Sequence, residues 1–560
     1  MSDKFADSLP KISRRQALVY LASGTAAMAL PGLFGSNVAR AAMTGAAGSG
    51  GQMVVGFSQE PTVFNPLMPH IEVDDGLHFS LFDPLFGIDD KGNFTPALAT
   101  EVPTQANGGI SADGLNFHLK LRDGVKWHDG QPFTAEDVKF TLELLVDPNF
   151  RSWSRSGHEL VRDITVVSPT EIKWRMEKPY APYTSILAAT FIVPKHGFAN
   201  VQDKNTAPFN SAPVGTGPFK WQQRVPGDHI ELMANKDYFG DGPKLDRLIY
   251  KYIPDLNVMY TQFVSGDIDI AGLQWISADH YDEAKKLPGK VVDVSQSATI
   301  ENFAFNLARP QFQDPAVREA LYYAIDKQTI IDALYYGLPK PTETYMPRQS
   351  SYFNADLPAH EFSLDKAKAL LDKAGWKPGS GGIREKNGVR LSFTNSTTAG
   401  NHLREQMQQF MQQSFQEIGV EMKISNLPPA VMWGDYWMLS KFDSAIVGLN
   451  YLTGSDPDTA TYMRSDAIPA QGGAGQNVFQ YKNPEVDKLL AQGSAGFAPE
   501  QRKAAYLQIQ SLVRKDLPFL TLFSFANVRS HKQGAENIIP NINVRIDSWN
   551  VNTWYWNKKA

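Results

Sequence analysis

Apolar and polar residues alternate along residues 115–122. Leu115, Phe117, Leu119 and Leu121 stand against Asn116, His118, Lys120 and Arg122, the period of a half-buried strand. The pairs Asp123-Gly124 and Asp129-Gly130 then mark turns, and Thr134 opens a helix with Asp137 three residues on as its acidic capping partner. Alternation returns at Ile164, Val166, Ile172 and Trp174 on either side of Ser168-Pro169-Thr170, which predicts a hairpin. Met53–Phe57 reads as a first strand broken at Ser58–Pro61. Residues 255–265 read as a helix stopped by Gly266, and 267–271 as the strand after it.

The character changes near residue 300. Asn302–Asn306 alternates as a strand, and Asp314-Pro315 starts a helix, with Asp as cap and Pro at its first position. Val317, Ala320, Leu321, Ala324 and Ile325 then share one helical face, and Asp326 caps a second helix that Gly337 stops. Further helices are predicted over 363–374, over a stripe of Leu403, Met407, Phe410, Met411 and Ile418, from Asn483-Pro484, and over 499–515. Strands are predicted at 420–424, 444–447 and 518–528. Helix followed by strand, repeated in both halves, makes each half an α/β unit.

Several of these runs resemble one family when read together. They are the stretch Leu121–Phe140 around Gly124-Val125-Lys126-Trp127-His128-Asp129-Gly130, the segment Val214-Gly215-Thr216-Gly217-Pro218-Phe219-Lys220, and the run from Phe305-Asn306 through Asp314 to Ala324-Ile325-Asp326-Lys327. They are similar to signatures of the extracytoplasmic solute-binding proteins of family 5, the dipeptide, oligopeptide and nickel-type binding components of bacterial ABC importers. The resemblance implies an α/β fold of two lobes, the type II, large cluster C periplasmic-binding-protein fold, with mixed sheets flanked by helices and a hinge between lobes. It also implies that the C-terminal segment returns to the first lobe. Lobe I is then expected at 53–298 with 526–560, and lobe II at 299–525. By itself the glycine pair of 214–220 permits a tight turn. It is not a phosphate loop, since no Gly-Lys-Ser/Thr follows.

Within that resemblance the ligand-binding candidates follow. Glu60-Pro61 and Asn65-Pro66 match the cleft loop, which nominates Glu60 and Asn65; Asn302 lies on the strand that opens the second half. Residues 448–458 follow a strand and resemble the family's pocket loop, which nominates Asn450, Tyr451, Thr453 and Asp456. In peptide-binding relatives an Asp that pairs with the peptide α-ammonium falls at the position of Thr453. A Thr cannot neutralise a buried cation, so either Asp456 or Glu60 does so, or the ligand is not held by a free N-terminus. Trp433 and Trp437, with Tyr436 and Tyr451, form an aromatic cluster suited to ligand stacking or to core packing. Arg404 is placed to meet a ligand carboxylate or to lie solvated on the surface.

Composition narrows the classes. The chain has 560 residues, a formal net charge of −5 and no cysteine, so disulfides, thiolate metal sites, Cys nucleophiles and a lipid-modified Cys are excluded. The charge argues against nucleic-acid binding. The eleven histidines form no HxxxH or HExxH pair, and no metal or cofactor is expected. Carboxylate pairs such as Asp74-Asp75 read as solvated turns, and no catalytic constellation appears. At the N-terminus, Arg14-Arg15 precedes an uncharged Ala/Gly-rich run ending near Ala39-Arg40-Ala41. This predicts a Tat-type signal over 1–41 and a flexible linker over 42–52.

The expectation is therefore a soluble, monomeric periplasmic protein, not an enzyme. It captures a small solute, most simply a peptide, between two lobes and delivers it to an inner-membrane ABC permease with its ATPase. A non-peptide solute (opine, sugar or nickel chelate) and an exported hydrolase are the alternatives.

Overall fold

The computed structural model describes residues 50–557 apart from 429–430, 453, 474 and 545, and leaves the side chains of 273–275 aside. The expected signal and most of the linker lie outside the described residues. No helix among those residues is long and apolar enough to cross a membrane.

One mixed sheet of eleven strands organises the chain. Its principal strands, in chain order, are β1 (Gln52–Phe57), β2 (Phe219–Val225), β3 (His229–Ala234), β4 (Arg247–Tyr252), β5 (Ile270–Ile276), β6 (Lys290–Phe305), β7 (Ser392–Ser396), β8 (Glu421–Ile424), β9 (Ser444–Leu449) and β10 (Phe519–Lys532). Their spatial order is β8-β7-β9-β6-β10-β5-β1-β4-β3-β2, and Lys340–Pro341 pairs with β10. The long antiparallel pair β6–β10 runs through the centre. Its first part is Lys290↔Lys532 to Gln296↔Ala526, on the side of β10 where β5 also pairs. Its second part is Ile300↔Ser524 to Ala304↔Phe519, alongside β9. Between these parts four steps along β6 oppose two along β10, so the ladder slips there. Such a bulge bends a strand pair and raises its twist.

Apolar residues on either side of that break gather into separate cores. One holds Met53, Val55, Phe57, Leu77, Phe219, Leu248, Ile546 and Trp554, so the C-terminal segment packs on the first strand. The indole of Trp556 donates to Gln52 O at 2.8 Å. Another holds Phe303, Val317, Leu321, Ile325, Phe393, Met407, Phe415 and Leu520. Adjoining these are a core under the three-stranded sheet Asn116–Lys120, Glu171–Met176 and Val161–Ser168, and one around Tyr451, Phe479 and Tyr506.

Local chemistry accounts for the elements. The Asp137 carboxylate accepts from Thr134 N at 2.9 Å, and that of Asp314 from Ala316 N at 3.0 Å, so both predicted caps form. All five residues of the predicted face Val317–Ile325 are buried. The stripe on helix His402–Glu417 is different. Leu403 and Phe410 are exposed, while Gln408 is buried and donates to Asn395 Oδ1 (2.8 Å) and Asn426 Oδ1 (2.9 Å). The helix docks through a polar centre that hydrophobic periodicity cannot register.

The segment 214–220 is not a tight turn. Neither Gly215 nor Gly217 adopts a positive φ. A Cβ on Gly215 would instead lie 1.7 Å from Leu81 O, and one on Gly217 2.5 Å from Leu81 C. The glycines let this loop touch the end of helix Glu72–Leu81. His128 staples it from the other side. Its Nδ1 accepts from Gly215 N (3.1 Å) and its Nε2 donates to Gly217 O (3.0 Å), the neutral tautomer, and burial pushes its pKa down to about 4. Lys327, in the other matched run, is buried and donates to Glu343 Oε1 (2.8 Å), Tyr322 OH (2.6 Å) and Thr342 O (2.8 Å). Both runs therefore brace their own halves.

Candidate ligand-binding site

Strand β9 delivers residues 448–458 to the junction of the two halves. Gly448 pairs with Glu301 of β6, and Asn302 pairs with Val447. Arg404, near the start of helix His402–Glu417, reaches over Gly448 to Glu301, with Nε donating to Oε1 (2.5 Å) and Nη2 to Oε2 (2.8 Å). The Glu301 side chain is 0% exposed and that of Arg404 11%. Burial alone would lower the guanidinium pKa, but the facing carboxylate holds it above its ordinary value. Arg404 is thus held in a buried ion pair with Glu301 and is not a solvated surface arginine. A Cβ at Gly448 would stand about 3 Å from the pair, at 3.0 Å from Arg404 Nη2 and 3.1 Å from Glu301 Oε2, which is why glycine fits there.

Asp456 is likewise occupied. Nη2 of Arg502, from helix Pro499–Asp516, donates to both carboxylate oxygens, at 2.8 and 2.7 Å, and Arg502 Nε donates to Gly493 O at 2.9 Å. Burial works against the guanidinium charge, yet the Asp456 carboxylate raises the Arg502 pKa overall. Glu60 accepts from Arg224 Nε (3.0 Å) and Nη2 (2.5 Å) and from Gly227 N (3.2 Å). Both carboxylates named for a ligand ammonium therefore already face guanidinium groups of the same chain.

Asp458 is the carboxyl that differs. Its oxygens accept from Ala460 N (3.0 Å) and, at 3.4 Å, from Tyr180 OH of the first half. Burial and then the neighbouring Asp456 push its pKa up to about 6. Around it, residues 454–458 lie against the first half. A Cβ at Gly454 would meet Ile88 Cδ1 at 2.7 Å, and Ala181 N donates to Ser494 O at 2.7 Å.

The remaining candidates divide by burial. Asn65 is buried and donates to Asn210 Oδ1 (2.8 Å) while accepting from Leu67 N (3.0 Å). Asn302 is buried and donates to Ile300 O (2.7 Å); its Oδ1 has no hydrogen-bond partner. Tyr451 is stacked on Phe519 (5.5 Å) beside Tyr345, and its hydroxyl is buried without a hydrogen-bond partner. Trp437 is buried against Phe442 (5.0 Å). Trp433, edge-on to Trp437 at 5.8 Å, keeps 41% exposure. Asn450 is exposed, its Oδ1 accepting from Leu452 N (3.0 Å). Thr453 lies outside the described residues. A separate cavity of about 370 Å³, lined by Phe117, Lys173 and Arg175 among others, includes none of the ten candidates.

Pattern reading missed Glu301, Arg502, Asp458 and Tyr180. Their partners lie 103, 46 and 278 positions away in the chain, beyond any local periodicity. It also read Asp74-Asp75 as a solvated turn. Asp74 accepts from Ile71 N (2.8 Å) and Thr62 N (2.8 Å), and Asp75 faces His70 and His78.

Comparison with known proteins agrees with this architecture. The Bacillus subtilis oligopeptide-binding protein AppA is 30% identical over 533 residues, spanning 93% of this chain and 94% of its own. The Escherichia coli nickel-binding periplasmic protein is 27% identical over 475 residues, 82% of this chain and 87% of its own. The structure of AppA in complex with a nonapeptide matches with TM-score 0.76 at 29% identity, covering 92% of this chain and all of that one. NikZ from Campylobacter jejuni, in complex with Ni(L-His), also matches with TM-score 0.76, at 28% identity over 90% of this chain and 99% of its own. Residues 93–471 match the middle region of the bacterial extracellular solute-binding proteins of family 5, and this chain belongs to that family.

Proposed function

We propose that this protein captures a peptide between its two halves, exported by its N-terminal signal, and hands it to an ABC permease. The observation that carries the reading is the pair β6–β10 with its slipped ladder between Gln296 and Ile300, together with the reach of residues 454–458 onto the first half. Lobes of 53–298 with 526–560, and of 299–525, would hinge at that slip. The similarity to AppA over nearly its whole length favours peptide over a metal chelate or an opine.

Because Glu60 and Asp456 already face guanidinium groups, the peptide is held through its backbone and side chains, with Trp433 as a stacking surface, and not through its α-ammonium. A thermal-shift comparison of free and N-acetylated oligopeptides tests this. Equal shifts are expected. Loss of the shift on acetylation would restore an ammonium anchor. Absence of any shift with peptides, alongside one with nickel chelates, opines or sugars, would remove the peptide reading.

A further inference from the structure

We propose that His70, Asp75 and His78 form a binding site for a divalent first-row transition cation, with Zn²⁺ the best fit. The residues lie at the start of the first half, where the loop after β1 meets helix Glu72–Leu81. His70 Nε2 is 2.8 Å from Asp75 Oδ1, and His78 Nδ1 is 3.7 Å from the same oxygen. One ligand atom from each residue falls within 4.8 Å of the others. Zinc bound at about 2.0–2.2 Å by nitrogen and carboxylate oxygen in a tetrahedron sets its ligands roughly 3.4 Å apart. These three atoms reach that spacing if their separations change by about 0.3 Å to at most about 1.4 Å.

The orientation of both rings supports the assignment. His70 Nδ1 lies 2.7 Å from Met68 O, and His78 Nε2 lies 2.9 Å from Val63 O. A carbonyl only accepts, so each of those nitrogens carries a hydrogen. The opposite nitrogens, His70 Nε2 and His78 Nδ1, are the ones aimed at the carboxylate; with no cation bound, the 2.8 Å contact needs a proton on His70 Nε2, which a bound cation would replace. Pinning the outer N–H of a ligating imidazole to a carbonyl is how proteins fix the tautomer that binds metal. His78 Nδ1 is also buried without a hydrogen-bond partner, which a cation would supply.

The surroundings suit a neutral-imidazole, carboxylate donor set. The three side chains are 7%, 11% and 0% exposed in chain order. His78 is flanked by the ring edges of Phe82 and Phe191, and the half-exposed Trp153 stacks on His70 at 4.6 Å. Two imidazoles and a carboxylate leave a fourth position for water, a combination that favours zinc over calcium or magnesium. Ligation would tie the loop carrying Glu60 and Asn65 to the helix, because Val63 and Thr62 are already bonded to His78 and Asp74. All three ligands come from this one chain.

The test uses untagged, chelator-treated protein. Equilibrium dialysis with Zn²⁺ is expected to give one equivalent per chain, Co²⁺ to give the visible spectrum of a low-coordinate site, and Zn²⁺ to raise the melting temperature. His70→Gln keeps a partner for Asp75 and removes one ligand. It should weaken binding by more than the roughly 10–100-fold that loss of an outer-shell partner costs. His402→Gln, at an exposed histidine of the second half, should keep the stoichiometry. No stoichiometric binding by the wild type, or binding indifferent to His70→Gln, would overturn the site and leave the three residues as an ion-pair network only.

Discussion

Replacing Arg404 by Met should be among the most damaging single changes in the second half of the chain. The substitution keeps the aliphatic stem and removes the guanidinium that meets Glu301 through two hydrogen bonds of 2.5 and 2.8 Å. Glu301 is 0% exposed, so its carboxylate would have no water to turn to. Breaking a buried pair by removing one partner costs about 3–5 kcal/mol, most of it the penalty of the charge left behind. With a urea m-value of roughly 3 kcal/mol/M, the unfolding midpoint falls by about 1 M or more. Glu301→Gln combined with Arg404→Met removes that charge, and should recover about 1–3 kcal/mol relative to the sum of the two single changes. Urea unfolding of the four proteins, followed by tryptophan fluorescence, measures all these terms. A loss below about 1 kcal/mol for Arg404→Met, the level of an exposed pair, would refute the claim that this pair is buried and structural.

Asp458, pushed up to about 6, gives a pH signature. Because its folded pKa lies above the unfolded 3.8, its contribution is present below pH 3.8 and lost as pH rises through about 6. Asp458→Asn should therefore match the wild type near pH 4 and exceed it by up to about 3 kcal/mol at pH 7, as chemical unfolding at both pH values would show. Gly215→Ala places a Cβ 1.7 Å from Leu81 O and should cost about 3 kcal/mol or more; a melting curve close to that of the wild type would contradict the close approach. Trp433→Ala, at a 41% exposed side chain, should cost no more than about 1 kcal/mol of stability yet weaken ligand binding at least about tenfold, read by titration calorimetry and thermal melting together.

The elements that could be read from the chain are those governed by neighbours in sequence. Thr134 with Asp137, Asp314 with Pro315, and the face Val317 to Ile325 depend on spacings of one to eight residues, and each lies where the pattern places it. Strand β6 was only partly legible. Its first residues, Lys290–Ser297, are largely half-exposed or exposed on both faces, so hydrophobic alternation marks only the buried end from Asn302. The site was less legible still. A carboxylate looks the same in sequence whether it awaits a ligand or faces Arg224, Arg404 or Arg502 from a distant element. His70, Asp75 and His78 escape motif spacing because one histidine precedes the helix and its partners turn to meet it. The two glycines of 214–220 signal close backbone contact or a turn equally well, and only the position of Leu81 O distinguishes them.

The proposed role requires the two halves to close on a peptide without altering it. Isothermal titration of the protein with defined oligopeptides, followed by mass analysis of the recovered ligand, decides between binding and turnover. One peptide is expected to bind per chain and to be recovered intact. At 1,000 times the dissociation constant it should stabilise the protein by about 4 kcal/mol. Failure of every peptide to bind, or recovery of cleaved peptide, would contradict it.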